Sequence, residues 1–451
     1  MPCFRWTSIG VALLASAPLA AFAAEPSDVS QLQQLREEIR ALRADYEARL
    51  RALESRLEQA ETADAATPPT PAPPPPVATT SGNGFNPKIS LILDGGYTDY
   101  SEDGEADVPG FLLGDETEPA DAGLSLGETE LAMEANIDQS FHGWATIAFE
   151  PGGELGVEEA YVNTLALPAG LAVKMGRFFS DIGYQNRQHA HAWDFVDAPL
   201  VYRAMLGTQL GDDGVQLRWV APTDLFLEVG TELLRGDAFP AGGEGRNAIK
   251  AFTGFAHVGG DVGDSGSWRL GLSHLRADAN RRETGEDAAT AFTGKSDLTI
   301  VDAVYKWAPH GNASARNAVL QGEVFFRREH GDLVFDPEGA GDASRYDGDQ
   351  KGFYVQGIVQ FMPRIRAGVR YDRLFADNTI DDPVPDTSLG FLADDAHDPQ
   401  RWSAMVDYSH SEFSRFRVQF SRDDSRADAS ADDQVFLQYI FSLGAHPAHQ
   451  F

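Results

Sequence analysis

The chain has 451 residues, a formal charge of -33 and 42% hydrophobic residues. That is long enough for one large domain or two ordinary ones, and the composition excludes global disorder. Its single cysteine, Cys3, lies at the extreme N-terminus; once a leader is removed, disulfides and thiolate metal sites are excluded as well.

The first segment reads as a leader rather than as structure. Arg5 supplies positive charge, Gly10 to Ala20 is a short apolar run, and Ala21-Phe22-Ala23 offers a small-residue cleavage site, so residues 1–23 are expected to be a signal peptide. A lipoprotein would carry its cysteine after the apolar run, whereas Cys3 precedes it. Beyond the leader no stretch of about eighteen apolar residues occurs, which rules out an ordinary transmembrane helix. An exported protein of this kind is periplasmic, secreted or an outer-membrane β-barrel.

Residues 28–62 change to a helical period. Leu32, Leu35, Ile39, Leu42 and Tyr46 fall at three-four spacing, which is a coiled-coil seam. After Tyr46 the stripe drifts, with Arg49 and Arg56 at positions a strict heptad keeps apolar, so a stutter is expected there. A lone amphipathic helix is the alternative to a self-associating bundle, of which a trimer is the simplest. The Pro-rich linker at 63–84 contains TPPTPAPPPPV, a semi-rigid spacer of about 3 Å per residue. Helix and spacer together predict a stalk in the periplasm.

From 85 to 451 the period is two. Leu131, Met133, Ala135 and Ile137 alternate with Glu130, Glu134 and Asn136; Phe416, Val418 and Phe420 alternate with Arg417 and Gln419. Segments of about ten such residues suit a tilted membrane strand. Short turns, such as Asp138-Gln139-Ser140 and Met362-Pro363-Arg364, alternate with longer acidic connections at 100–123, 183–206, 235–247, 277–295, 331–350 and 376–399. The pattern predicts an all-β fold, a transmembrane antiparallel barrel of about sixteen strands with tight periplasmic turns and long outer loops. A soluble sandwich is the alternative. The last strand, Val435 to Leu443, is followed by a terminal aromatic, Phe451, as in the C-terminal signal of Gram-negative outer-membrane barrels.

If the apolar face of each strand meets lipid, the other face lines the lumen. In the first half those pore-lining positions include Glu130, Glu134, Glu159 and Glu228, relieved by Lys174 and Arg218; in the last third they include Arg327, Arg366, Arg370 and Arg417, with Glu323 as a partner. Opposite charge on two walls either sets a field across a constriction or pairs wall to wall. The loop at 183–206, rich in aromatic residues and histidine, is expected to fold inward and narrow the pore. Within it His189-x-His191 with Asp194 offers two imidazoles and a carboxylate, a donor set for zinc, although pore-lining histidines explain the same residues. No resident cofactor is expected; zinc enters as a ligand or a solute. The sequence holds no nucleophile elbow, metalloprotease helix or phosphate-cradling loop, and no basic aromatic patch for nucleic acid, so neither an enzyme nor a nucleic-acid binder is expected.

The order of leader, coiled coil, proline linker and barrel is similar to that of the phosphate-selective porins. The phrases FNPKISLILDGGY, LSLGETEL, VEEAYVNTLALPAG, HAHAWDFVDAPL and SLGAHPAH resemble the family labelled zinc-regulated TonB-dependent outer-membrane receptors. Such receptors imply a large N-terminal plug and about 22 strands, whereas only a coiled coil and a spacer precede Ile89. The expectation is therefore a plugless, porin-like channel of the outer membrane of a Gram-negative bacterium, passing small solutes with a cation bias. Its partners would be outer-membrane lipid, lipopolysaccharide and further copies of itself, as a trimer through barrel and coiled coil. A zinc-binding receptor and a structural anchor of the envelope are the alternatives.

Overall fold

The computed structural model describes residues 87–102, 108–114, 117, 122–149, 155–243, 249–284, 290–335, 341–381, 392, 397–426 and 430–444. The expected signal peptide at 1–23, coiled coil at 28–62, linker at 63–84 and terminal Phe451 lie outside them.

The period-two segments pair in sequence, each antiparallel to the next. The first staves are β1 (Lys88–Tyr100), β2 (Gly123–Leu126 and Thr129–Asn136), β3 (Phe141–Phe149), β4 (Leu155–Thr164) and β5 (Leu171–Phe179). A long inward loop carrying the helix α1 (Leu200–Leu206) leads to β6 (Gly211–Val220), β7 (Phe226–Leu234) and β8 (Ala251–Val262). Then come β9 (Gly266–Thr284), β10 (Thr290–Trp307), β11 (Asn317–Phe335), β12 (Asp342–Met362) and β13 (Ile365–Asp381). The last are β14 (Gln400–Ser411), β15 (Ser414–Asp424) and β16 (Asp432–Gly444).

Seventeen strand segments form one sheet, and the two pieces of β2 both pair with β1, so the wall has sixteen staves. β16 pairs with β1 from Ser90↔Gly444 to Tyr100↔Gln434, which closes the ring. Closure is the physical requirement in lipid, where each unpaired edge N–H or C=O costs several kcal/mol. A single closed sheet also disposes of the sandwich alternative.

The outer surface is apolar at membrane height. Leu270, Leu272, Leu320, Val359, Val369 and Val406 are each more than 45% exposed. Trp219, Phe226, Tyr305, Trp307, Phe361, Tyr408, Phe413 and Phe416 are all exposed near the short turns, where an aromatic girdle meets the membrane interface. Substituting Val418, in the middle of β15, by Arg is expected to cost about 2–4 kcal/mol. Folding into lipid vesicles followed by urea unfolding measures it; a conservative change at the exposed, already charged height of Arg422, Arg422→Lys, is expected to be silent.

Two stretches expected as loops, 277–295 and 331–350, are for the most part strand: β9 runs to Thr284 and β10 begins at Thr290, and β11 runs to Phe335 and β12 begins at Asp342. The cause is an inversion of polarity. Along β9, Leu270 and Leu272 point out, but further up His274 and Arg276 point out while Leu275, Ala277 and Ala279 are buried inside. β10 does the same, with Val301 outside and Leu298 and Ile300 buried. β9 to β12 have 18–21 residues, roughly 60 Å at about 3.3 Å per residue, against the nine of β3 and β5. One wall therefore stands well above the lipid, and there water lies outside and an apolar core inside.

Candidate functional site

The loop from Ser180 to Leu210 enters the lumen and is tied to walls on both sides. Its first residues meet carboxylates: the Asp181 amide donates to Glu232 at 3.0 Å, and the Tyr184 and Gln185 amides donate to Glu323 at 3.0 and 3.1 Å. The hydroxyls of Tyr202 and Tyr354 donate to the same Glu323. A side chain at Gly183 would lie 2.5 Å from Glu323 Oε2, and its φ is +67°, so only glycine lets the backbone come this close.

The far side of the loop meets guanidinium groups. Arg366 pairs with Asp194 at 2.8 Å, Arg370 and Arg401 pair with Asp197 at 2.9 and 2.6 Å, and Arg417 donates to the Trp193 carbonyl at 2.9 Å. Asp372 accepts from the Leu200 amide at the start of α1, while Arg327 donates to the Ala204 carbonyl near its end. Negative charge at the N-terminus and positive at the C-terminus suit the helix dipole. Every residue of α1 except Arg203 is buried, in a core with Val108, Phe111, Leu275, Leu298, Phe325 and Leu374. This segment is a strap, and it fills the long-loop half of the lumen.

The expected pore-lining charges are thus inside the barrel, but most do not face open water. Glu323, Arg327, Arg366, Arg370 and Arg417 hold the strap. Arg218 pairs with Glu228 at 3.3 Å, and Glu228 meets His257 at 3.0 Å. Lys174 sits over the rings of Tyr161 and Phe178, and Glu134 pairs with Lys88 at 2.7 Å. A free field across an open constriction is replaced by two walls that grip one loop, because a buried charge is tolerated only when paired.

The expected metal set also changes. Asp194 faces Arg366, away from the histidines. His189 instead meets three glutamates: Nδ1 lies 3.3 Å from Glu130 and 3.2 Å from Glu158, and Nε2 lies 3.0 Å from Glu159. His191 Nδ1 lies 2.5 Å from the other oxygen of Glu130. Burial alone would lower the His189 pKa, but its contacts with Glu130, Glu158 and Glu159 outweigh it and hold the imidazole well above its ordinary range.

Glu158 escaped the alternation rule because β4 carries a bulge: Thr146 faces Glu159 while Ile147 faces Val157, so Glu158 is the extra residue. Consecutive glutamates then serve one site. Only the doublet Glu158-Glu159 in the sequence hinted at it. Arg401, which shares Asp197 with Arg370, was also unforeseen. Below the strap, toward the short turns, a cavity of about 690 Å³ is lined by Glu130, Glu159, His189, Asp194 and Arg366, and a second of about 1210 Å³ by Arg364, Ser409 and Arg415.

These features define a sixteen-stranded, porin-like outer-membrane barrel narrowed by an inward strap. No family model matches the chain. An uncharacterized protein of Aquifex aeolicus (strain VF5) is 32% identical over 410 residues, covering 83% of this chain and 82% of that one, and the chain belongs to the same family. Among solved structures it is similar to OmpTdeltaL8, a loop L8 deletion mutant of the outer-membrane protein OmpT of Vibrio cholerae (12% identity, TM-score 0.49, 79% of this chain and 99% of that one). It is also similar to the outer-membrane channel DcaP of Acinetobacter baumannii (13% identity, TM-score 0.47, 79% and 96%).

Proposed function

We propose that this protein is a channel of a Gram-negative outer membrane that passes small solutes by diffusion, with a bias toward cations, and performs no chemistry on them. The observation that carries the reading is the closed ring of sixteen staves around a lumen that the strap narrows to a cavity of about 690 Å³; the cation bias is supported by the formal charge of -33 and by the wall glutamates Glu130, Glu158 and Glu159 beside that cavity, whose lining also holds Lys88, Lys174, Lys306 and Arg366. Carboxylates gathered at the narrow place of a low-dielectric tube raise the local concentration of cations and repel anions. Self-association as a trimer fits the low wall, where Leu124, Leu126 and Leu155 are 89%, 59% and 68% exposed.

Planar-bilayer recordings of the pure protein in a salt gradient test this. The expected result is discrete conductance with a reversal potential of cation sign, weakened in Glu130→Gln/Glu159→Gln. Anion selectivity, or no conductance, sinks it.

A second reading, an outer-membrane receptor that captures zinc, is favoured by the meeting of imidazole and carboxylate donors in that same group. A receptor would hold the ion with little unit conductance, and the recordings separate the two.

A further inference from the structure

We propose that Glu130, Glu158 and His189 form a site for one divalent transition-metal cation, of which Zn²⁺ is the natural probe, inside the lumen. The proposal rests on the channel reading above for its meaning as a cargo site, though the binding itself does not depend on conduction.

The geometry suits such an ion. The three donor atoms lie within 4.8 Å of one another. Ligands about 2.05 Å from a tetrahedral zinc stand about 3.3 Å apart, and Nδ1 of His189 lies 3.2 Å from Glu158 Oε2 and 3.3 Å from Glu130 Oε2.

The surroundings resemble a built site rather than an acidic patch. The second nitrogen of His189 is held by Glu159 at 3.0 Å, the carboxylate that orients a ligating imidazole. The second oxygen of Glu130 is held by His191 at 2.5 Å. The bulge at Glu158 delivers a side chain that regular alternation from Glu159 would have turned toward lipid.

The donor set selects the ion class. One imidazole and two carboxylates, with no thiolate, suit a borderline cation such as Zn²⁺; Mg²⁺ and Ca²⁺ prefer all-oxygen shells of six or more ligands. Two carboxylates also balance the charge of a divalent ion. Three protein ligands leave a fourth position, and Glu130, His189 and Glu159 line the 690 Å³ cavity, which supplies an entry path. Because Glu130 lies on β2, Glu158 on β4 and His189 on the strap, a bound ion would also tie the strap to the wall.

Calorimetric titration of the chelator-treated full chain in detergent with ZnCl₂ is the test. One site per chain is expected, not displaced by excess MgCl₂. Affinity should fall at least about tenfold in Glu158→Gln, an isosteric change suited to preserve the barrel, and in His189→Ala. The exposed pairs His310–Asp264 and His330–Asp347 are competing sites among the described residues. Zinc binding lost in His310→Ala/His330→Ala but kept in Glu158→Gln overturns the proposal, as does magnesium competing equally. Conductance without zinc binding at these residues leaves the channel reading and sinks the site; zinc binding without conductance does the reverse.

Discussion

Excising the strap is expected to raise unit conductance several-fold while leaving the barrel folded. The ends of the strap already meet: Phe179 is paired with Gly211, and the Ser180 amide donates to the Leu210 carbonyl at 2.9 Å. Residues 181–209 can therefore be replaced by Asn-Gly, the two-residue turn whose twist suits an antiparallel hairpin, without disturbing any stave. Glu232, Glu323, Arg370 and Arg401 would lose their strap partners, but water would enter with the same change and solvate them. Planar-bilayer recording reads the result directly. Unchanged conductance would mean that the outer loops, with Val108 and Phe111, set the width on their own.

The second large effect is at Asp197, which both Arg370 and Arg401 grip although each is only 1% exposed. Removing one partner of a buried charge network costs about 3–5 kcal/mol. Asp372 and Asp423 remain beside these guanidiniums, so Asp197→Ala is expected near the lower end of that range. The loss should appear as faster backbone hydrogen exchange through 193–206, with strands β9 to β12 unaffected. Equal exchange in variant and parent would show that the apolar core alone holds the strap.

The same residue sets a pH dependence. Burial would raise the Asp197 carboxyl, but Arg401 and Arg370 outweigh it and hold it below the usual carboxylate range. A folded-state pKa below the unfolded value of about 3.9 gives stabilisation that is complete above that value and lost as pH falls through the lower one. The strap should thus stay protected at pH 4 and loosen only in stronger acid, by the same exchange measurement.

What the sequence by itself determined is what local periodicity controls. Alternation alone predicted about sixteen staves in order, the number the closed sheet has. It did so because a lipid-facing strand has to show apolar side chains at every second position. The inward-facing charges at Glu130, Glu323 and Arg370 were legible by the same rule.

Only the tertiary structure decided where those charges end. A strand's polarity pattern names a face but not its partner, so the strap's grip on both walls, through Asp194, Asp197 and the 184–185 amides, could not be read from any one segment. The rule also failed wherever its premise did. Above the membrane the solvent outside β9 and β10 becomes water and the polarity turns over, and at Glu158 a bulge shifts the phase by one residue. That one residue brought Glu158 into the metal-ligating group, because side-chain direction in a sheet depends on register, and register is fixed only when the neighbouring strand is in place; Asp194 left the group because the folded strap turns it to Arg366.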